Sequence, residues 1–287
     1  MARSPTAEVK GLLGHFGLRA RKSLGQHFLV DRQVLHRIVS AADLTPEDVV
    51  IEVGPGLGVL TKELAMHAGR VIAVEADNAM ASALSEIVAG IPNITIVTSD
   101  VLRTDPGLLL AGVGVEGDSP GYKVVADIPY YITSPILRHF LEAPLKPSIM
   151  VIMVQKEVGK AIVAQPGDMS ILAVSIQFYG KPTIAGHAPS KSFYPPPKVD
   201  SVILRVELYK QPPVAVSRTS DFFDVVRAGF SAPRKQLRNS LAQGLGILPR
   251  DAAELLEKAK IDPKRRAETL NLQEWAEILE EMRPHEE

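Results

Sequence analysis

From residue 49 onward, short runs of consecutive apolar residues alternate with stretches whose apolar positions recur every three or four residues. The runs VVIEV (49–53), RVIAV (70–74), ITIV (94–97), YKVVA (122–126) and SIMVIMV (148–154) have strand length and are rich in β-branched side chains. Near-continuous apolar runs of this kind predict strands covered on both faces, as in a parallel sheet. Helical periodicity over 58–67, 77–88, 134–142 and 155–164 supplies the connections, so the expected fold is α/β and Rossmann-like. A last strand is expected within VDSVILRVEL (199–208). Residues 111–121 read as an exposed loop, and 189–198 (PSKSFYPPPK) as irregular, because proline fixes φ and removes a donor. Past a Pro-containing linker at 210–217, the segments Asp221–Gly244, Pro249–Ala259 and Leu272–Met282 read as three amphipathic helices. Two domains follow: residues 1–209 around the sheet, and a small all-α domain over 210–287.

Composition narrows the chemistry. With 46% hydrophobic and 23% charged residues the chain belongs to the globular class. No apolar run approaches the roughly 18 residues of a membrane helix, and the first fifteen residues lack an apolar signal core, so a cytoplasmic protein is expected. The absence of cysteine excludes disulfides, thiolate nucleophiles, iron–sulfur clusters and Cys-ligated zinc, and no metal site is expected. The net charge of −1 conceals segregation. Residues 1–37 carry seven Lys/Arg against Glu8 and Asp31, whereas 38–137 carry four against thirteen acids. Basic flanks around an acidic middle leave an anionic macromolecular partner open, since binding follows local patches rather than the sum.

The stretch Glu52-Val-Gly54-Pro-Gly56-Leu-Gly58 follows a predicted strand and opens a predicted helix. A dinucleotide site would require G-x-G-x-x-G, and here the third glycine comes one residue early, which disfavours a bound pyrophosphate. The spacing instead resembles the turn of S-adenosylmethionine (AdoMet) methyltransferases, whose ligand is a cationic sulfonium suited to acidic surroundings. A plain tight turn is the competing reading. Glu75 ends the second strand, where a carboxylate can accept both ribose hydroxyls; the alternative is a solvated strand-end acid. Asp100 closes ITIVTSD, where it could take the adenine amine of the cofactor; the alternative is a helix cap or Asx turn. Open α/β sheets bind ligands at such carboxyl ends, and three candidates there favour cofactor binding.

The fourth strand runs into Asp127-Ile128-Pro129-Tyr130. An exocyclic amine is a poor nucleophile because its lone pair is delocalised. A side-chain oxygen at Asp127 and the Ile128 carbonyl can accept its two hydrogens, while Tyr130 lies against the purine face. A strand-end cap for Asp127 and a half-buried core aromatic for Tyr130 compete with these roles.

Taken together, five blocks resemble the KsgA-type ribosomal RNA adenine dimethyltransferases. They are Gly25 to Leu29 (GQHFL), the turn Glu52–Gly58, Asp127–Tyr130 with Ile132 and Thr133, Phe193 to Ser201 (FYPPPKVDS), and Phe230 to Leu241 (FSAPRKQLRNSL). The resemblance spans residue 19 to about 245. It implies AdoMet as donor and two adjacent adenosines in a hairpin loop near the 3′ end of small-subunit rRNA as substrate. His27, Leu29, Gly54, Gly56, Glu75, Asp100 and Asp127 would contact the cofactor, and Phe193 would clamp the flipped adenine opposite Tyr130. For Phe193 the alternative is packing beneath a rigid loop, and for His27 a structural role at a helix start. Two positions depart from the usual pattern: His27 and Asp127 both stand where asparagine is common. Asp127 replaces a donor by a second acceptor, and activity is expected to survive. Arg19, Arg21, Lys22, Arg227, Arg234, Lys235 and Arg238 would attract phosphates, whereas Lys264-Arg265-Arg266 reads as a solvated face. The implied partner is the small ribosomal subunit or its rRNA, met by a monomer. Three rivals are the related large-subunit rRNA methyltransferases, disfavoured by the Arg234–Leu241 block; a non-catalytic RNA- or DNA-binding assembly factor; and a nicotinamide oxidoreductase.

Overall fold

The computed structural model describes residues 4–21, 25–115 and 121–282. It divides into two compact units, residues 1–159 with 183–208, and residues 160–182 with 209–287.

The first unit is built on a mixed sheet. Its strands are β2 (Val49–Val53), β3 (Arg70–Glu75), β4 (Ile94–Thr98), β5 (Tyr122–Ala126), β6 (Ile149–Gln155), β7 (Gly180–Ala188) and β9 (Ser201–Leu208), in the order β4-β3-β2-β5-β6-β9-β7. The pairs linking β4, β3, β2, β5 and β6 are parallel; β9 runs antiparallel to β6 from Ile149↔Glu207 to Gln155↔Ser201. Every residue of β2 and β5 is buried, including Glu52 and Lys123. The two charges are handled differently. Lys123 donates to Asp48 at 2.9 Å and to the Asp43 carbonyl, satisfying a buried cation, whereas Glu52 has no such partner.

Helices α2 (Arg32–Ala42), α3 (Val59–His67), α4 (Asn78–Ile87) and α6 (Thr133–Glu142) present buried faces, and α2 and α3 pack with the sheet in one core. Asp31 and Asp77 each accept two N–H groups at the starts of α2 and α4. Helix α3 starts differently: Gly58 caps it at φ 73°, and a Cβ there would lie 2.7 Å from Leu84. The turn is thus pressed against α4 in a conformation that only glycine adopts freely.

Helix α7 (Lys156–Ile162) falls within the predicted stretch 155–164, whereas α2, β7, the helix at 171–179 and several others were not foreseen. Helix α1 (Pro5–His15) buries Val9 and Leu13 against Leu57 and Met80. Helix α5 (Pro106–Ala111) precedes the predicted loop. Within the supposedly irregular 189–198, β8 (Phe193–Tyr194) pairs antiparallel with β1 (Phe28–Leu29) as a separate two-stranded ribbon.

The second unit corrects two expectations. Instead of a single boundary near residue 210, residues 160–182 also belong to this unit. The reason is α8 (Ile171–Tyr179), whose Ala173, Val174 and Phe178 join the helical core; the Phe178 ring stacks on Phe222 at 4.7 Å. The expected helix Asp221–Gly244 is two helices, α9 (Thr219–Gly229) and α10 (Leu237–Leu245). They cross closely enough that a Cβ on Gly244 would lie 2.4 Å from the Ala228 Cα, and Pro233, without an N–H, sits in the break. Helices α11 (Pro249–Lys258) and α12 (Leu272–Glu281) complete the unit near their predicted positions. Arg265 contradicts the solvated-face expectation: it bonds Glu274 and the Thr269 carbonyl.

Candidate active site

Strand β2 is flanked by β3 on one side and β5 on the other, so the chain leaves its carboxyl end in one direction and returns from the other. Such a switch point opens a crevice. Here it holds two adjoining chambers, about 130 Å³ and about 380 Å³, which share Gln26, Gly54, Glu75, Ile128 and Pro129. The smaller is bordered by His27, Leu29, Glu52, Gly56, Asp127, Tyr130 and Phe193. The larger is bordered by Ala76, Asp77, Asp100, Leu102 and Tyr131. The predicted cofactor residues are therefore gathered along one cleft.

Gly54 bends the chain at φ 70°, and a Cβ there would meet the Ile128 side chain at 3.7 Å and the Asp127 carbonyl at 4.0 Å. The glycine turn and the Asp127–Tyr130 segment are thus neighbours across the ends of β2 and β5. Glu75 receives backbone N–H groups from Asp77 at 2.9 Å and Gly56 at 3.3 Å, which fixes the carboxyl and leaves lone pairs for a ligand. Burial holds its pKa above the ordinary carboxylate value.

Two further carboxyls meet at this point. Burial pushes Glu52 up to about 8, with Asp127 and Glu75 adding repulsion and the Thr61 hydroxyl opposing it; its Oε2 is enclosed without a hydrogen-bond partner. Burial likewise pushes Asp127 up to about 7. None of the three has a cationic partner among the described residues, and no group of three metal-ligating side chains occurs among them either. An acidic cleft without internal cations suits a positively charged organic ligand. Glu52 was recognised only as part of the turn; its one signal was a carboxylate inside an otherwise apolar strand.

These carboxyls make a pH-dependent prediction. A folded-state pKa raised from 3.8 to about 7 means the native state holds the Asp127 proton more tightly than the unfolded chain. The associated stability is complete below the unfolded value and gone once pH passes about 7. Asp127→Asn is expected to leave the ligand-free protein more heat-stable than wild type at pH 8 and to remove the part of the stability decline that runs from about pH 4 to about pH 7. Thermal melts from pH 5 to 8.5 check this; identical profiles for both proteins would contradict the assignment.

On the reaction side, Tyr130 opens a 3₁₀ turn and is half-buried, with its hydroxyl 2.6 Å from Ser201 Oγ. The His27 ring lies 25° from parallel to it at 6.5 Å. His27 Nδ1 is 2.6 Å from the Pro195 carbonyl; a carbonyl only accepts, so Nδ1 carries the proton. This bond and the β1–β8 ribbon fasten the GQHFL segment to the Pro-rich loop. Phe193 borders the same chamber as Tyr130 but is only 4% exposed, packed with Leu29 and Met153. That burial is what the packing alternative expects, and the place beside Tyr130 in the chamber is what the clamp requires. Asp100 also meets its alternative, accepting from Leu102 N–H at 3.1 Å and lying 3.6 Å from Arg103, while still bordering the larger chamber.

The predicted RNA contacts divide. Arg21 pairs with Asp77 at 3.0 Å beside the larger chamber while its side chain stays 57% exposed. Lys22 lies outside the described residues. Arg234 and Lys235 are exposed in the break before α10, not on a continuous helix, and Lys235 reaches Gln243 at 3.2 Å; Arg238 is half-buried in the first turn of α10. No described carboxylate pairs with these three.

Comparison with known proteins bears on the chemistry. Residues 17–283 match the family model described as ribosomal RNA adenine dimethylase. A relative from Dehalococcoides mccartyi, named ribosomal RNA small subunit methyltransferase A, is 51% identical over 94% of this chain and 90% of its own. One of the same name from Moorella thermoacetica is 46% identical over 91% and 92%. Among solved structures, the 23S rRNA methyltransferase ErmE aligns with a TM-score of 0.69 at 29% identity, covering 89% of this chain and 99% of its own. A Plasmodium falciparum dimethyladenosine transferase reaches 0.73 at 23% identity, over 88% and 96%, and so speaks for the fold. With a match running through both units and relatives alike over almost their whole length, the chain belongs to the ribosomal RNA adenine dimethylase family.

Proposed function

We propose that this protein transfers methyl groups from AdoMet to the N6 amine of two adjacent adenosines in the 3′-terminal hairpin loop of small-subunit rRNA, giving N6,N6-dimethyladenosine during ribosome biogenesis. The observation that carries the reading is the cluster Glu52, Glu75 and Asp127, which have no cationic partner among the described residues, in a cleft bordered by Tyr130. AdoMet brings an ammonium and a sulfonium into that field, together with a methyl group activated by the positive sulfur. Glu75 would hold the ribose hydroxyls, Asp100 the adenine amine, and Gly54 and Gly56 allow close passage of the chain, with His27 and Leu29 on the opposite wall.

The remaining work falls to the segment 127–130. Asp127 and the Ile128 carbonyl accept hydrogens of the substrate amine and favour a pyramidal nitrogen, while Tyr130 supports the base. Asp127 is not needed as a strong base, because the nitrogen becomes acidic only as its new bond forms. A base in a single-stranded loop is splayed out at modest cost. Arg234, Lys235 and Arg238 would attract the phosphate backbone, making the helical unit the RNA-recognition part. The names of the relatives at 46–51% identity support the small-subunit substrate over the large-subunit alternative. A cytoplasmic monomer fits this role, and no described helix is long and apolar enough to cross a membrane.

The test supplies methyl-labelled AdoMet and small subunits lacking the modification, then digests the rRNA to nucleosides. Label in dimethyladenosine is expected; label confined to other nucleosides, or none incorporated, would refute the reading.

A further inference from the structure

We infer that Ser201 is a positioning residue for methyl transfer, acting through Tyr130; this rests on the adenine-methylating role proposed above. Ser201 is 1% exposed at the first position of β9, and its hydroxyl lies 2.6 Å from that of Tyr130, 71 residues away in sequence. The strand that follows, Val202-Ile203-Leu204, is wholly buried and apolar, so the core has no use for a hydroxyl there. An unpaired hydroxyl would instead carry a desolvation cost. The bond to Tyr130 is what satisfies it.

The geometry makes Ser201 the fixed partner. Its Cα is in register with Gln155 of β6. Next to it, the Asp200 carbonyl accepts from Lys156 N–H at 3.0 Å, and the Asp200 carboxyl accepts from Ser190 N–H at 2.9 Å. Tyr130 is the adjustable partner: its 3₁₀ turn has no side-chain cap, and its ring neighbour His27 is 6.5 Å away. The torsion that sets an aromatic ring plane is broad; the bond fixes the direction of the ring's long axis and, because a phenol hydroxyl donates and accepts close to the ring plane, favours one plane. That plane is where the adenine must rest for its amine to meet Asp127 and the Ile128 carbonyl. The bond also couples the turn after β5 to the antiparallel side of the sheet.

A double-mutant cycle tests this. Ser201→Ala is expected to lower the single-turnover rate at saturating RNA and cofactor by roughly 3- to 10-fold, the usual worth of one hydrogen bond, with AdoMet affinity unchanged within about twofold. Ser201→Thr, which keeps the hydroxyl, should recover most of the rate. In a Tyr130→Phe background, Ser201→Ala should cost nothing further. Tyrosine-labelled NMR adds a readout independent of turnover: the Tyr130 ring should flip faster in Ser201→Ala. An equal rate loss in both backgrounds, a loss of cofactor affinity, or unchanged rate and ring flipping would overturn the inference. A wild-type protein that makes no dimethyladenosine would instead defeat the functional reading, and the ring-flip result would still decide whether Ser201 holds Tyr130.

Discussion

Tyr130→Ala is expected to reduce single-turnover methyl transfer by roughly 10- to 100-fold, the range set by the loss of one base-stacking platform. AdoMet affinity should stay within about twofold of wild type. The separation follows from position. Tyr130 borders only the smaller chamber, beside the Asp127–Ile128 segment, whereas the proposed ribose anchor Glu75 is shared by both chambers and the proposed adenine anchor Asp100 lies on the larger one alone. Truncation removes the ring but leaves the backbone of Asp127 and Ile128 in place. Calorimetry with AdoMet beside rapid-quench kinetics on small subunits measures both quantities. Equal losses in affinity and rate would mean that Tyr130 is a wall of the cofactor site and not a support for the base.

Glu75→Ala is expected to do the reverse. Its carboxyl would accept both ribose hydroxyls while bonded to the Gly56 and Asp77 N–H groups. Hydrogen bonds to a charged group contribute about 1.5–3 kcal/mol each, so two lost ribose contacts predict AdoMet binding weaker by roughly 100-fold or more. Glu75→Gln keeps one acceptor oxygen and should lose roughly tenfold. Both are read by calorimetry, with melting temperatures alongside to register the two freed backbone donors. A Glu75→Ala protein binding within twofold of wild type would remove the carboxyl from the cofactor site.

The framework of the sheet was legible because buried parallel strands leave an unmistakable trace. Each of VVIEV, RVIAV, ITIV and YKVVA became the expected strand, and the acids at the carboxyl ends reached one cleft because topology puts them there. Elements without a period were lost. The two-residue strands Phe28–Leu29 and Phe193–Tyr194 show no alternation, and the prolines around the second argued against any strand. Helix α8 is apolar on nearly all sides, so neither period stands out, and its partners Phe222 and Phe223 lie more than forty residues further on. The helical pattern across Asp221–Gly244 was real on both sides of Pro233, but only the close crossing at Gly244 shows that the chain must turn back.

The site was legible in its members and not in their state. Spacing located Glu75, Asp100, Asp127 and Tyr130, but no spacing reveals that Lys123 in β5 finds Asp48 while Glu52 in β2 meets no cation among the described residues and leaves its Oε2 without a hydrogen bond. Nor could it show that Phe193 is buried where it borders the chamber, or that Arg21 pairs with Asp77. Those outcomes depend on which groups the fold makes neighbours, and they decide the electrostatics. Burial raises the pKa of both Glu52 and Asp127, so a cation bound beside them would favour their charged forms and couple its binding to proton release.

Solving the structure with AdoMet bound addresses the whole account at once. The donor is expected to span both chambers, its ribose on Glu75 and its positive groups among Glu52 and Asp127, with the transferable methyl facing the Asp127–Tyr130 segment. Density for the donor elsewhere, or bound with its methyl turned away from Tyr130, would contradict it.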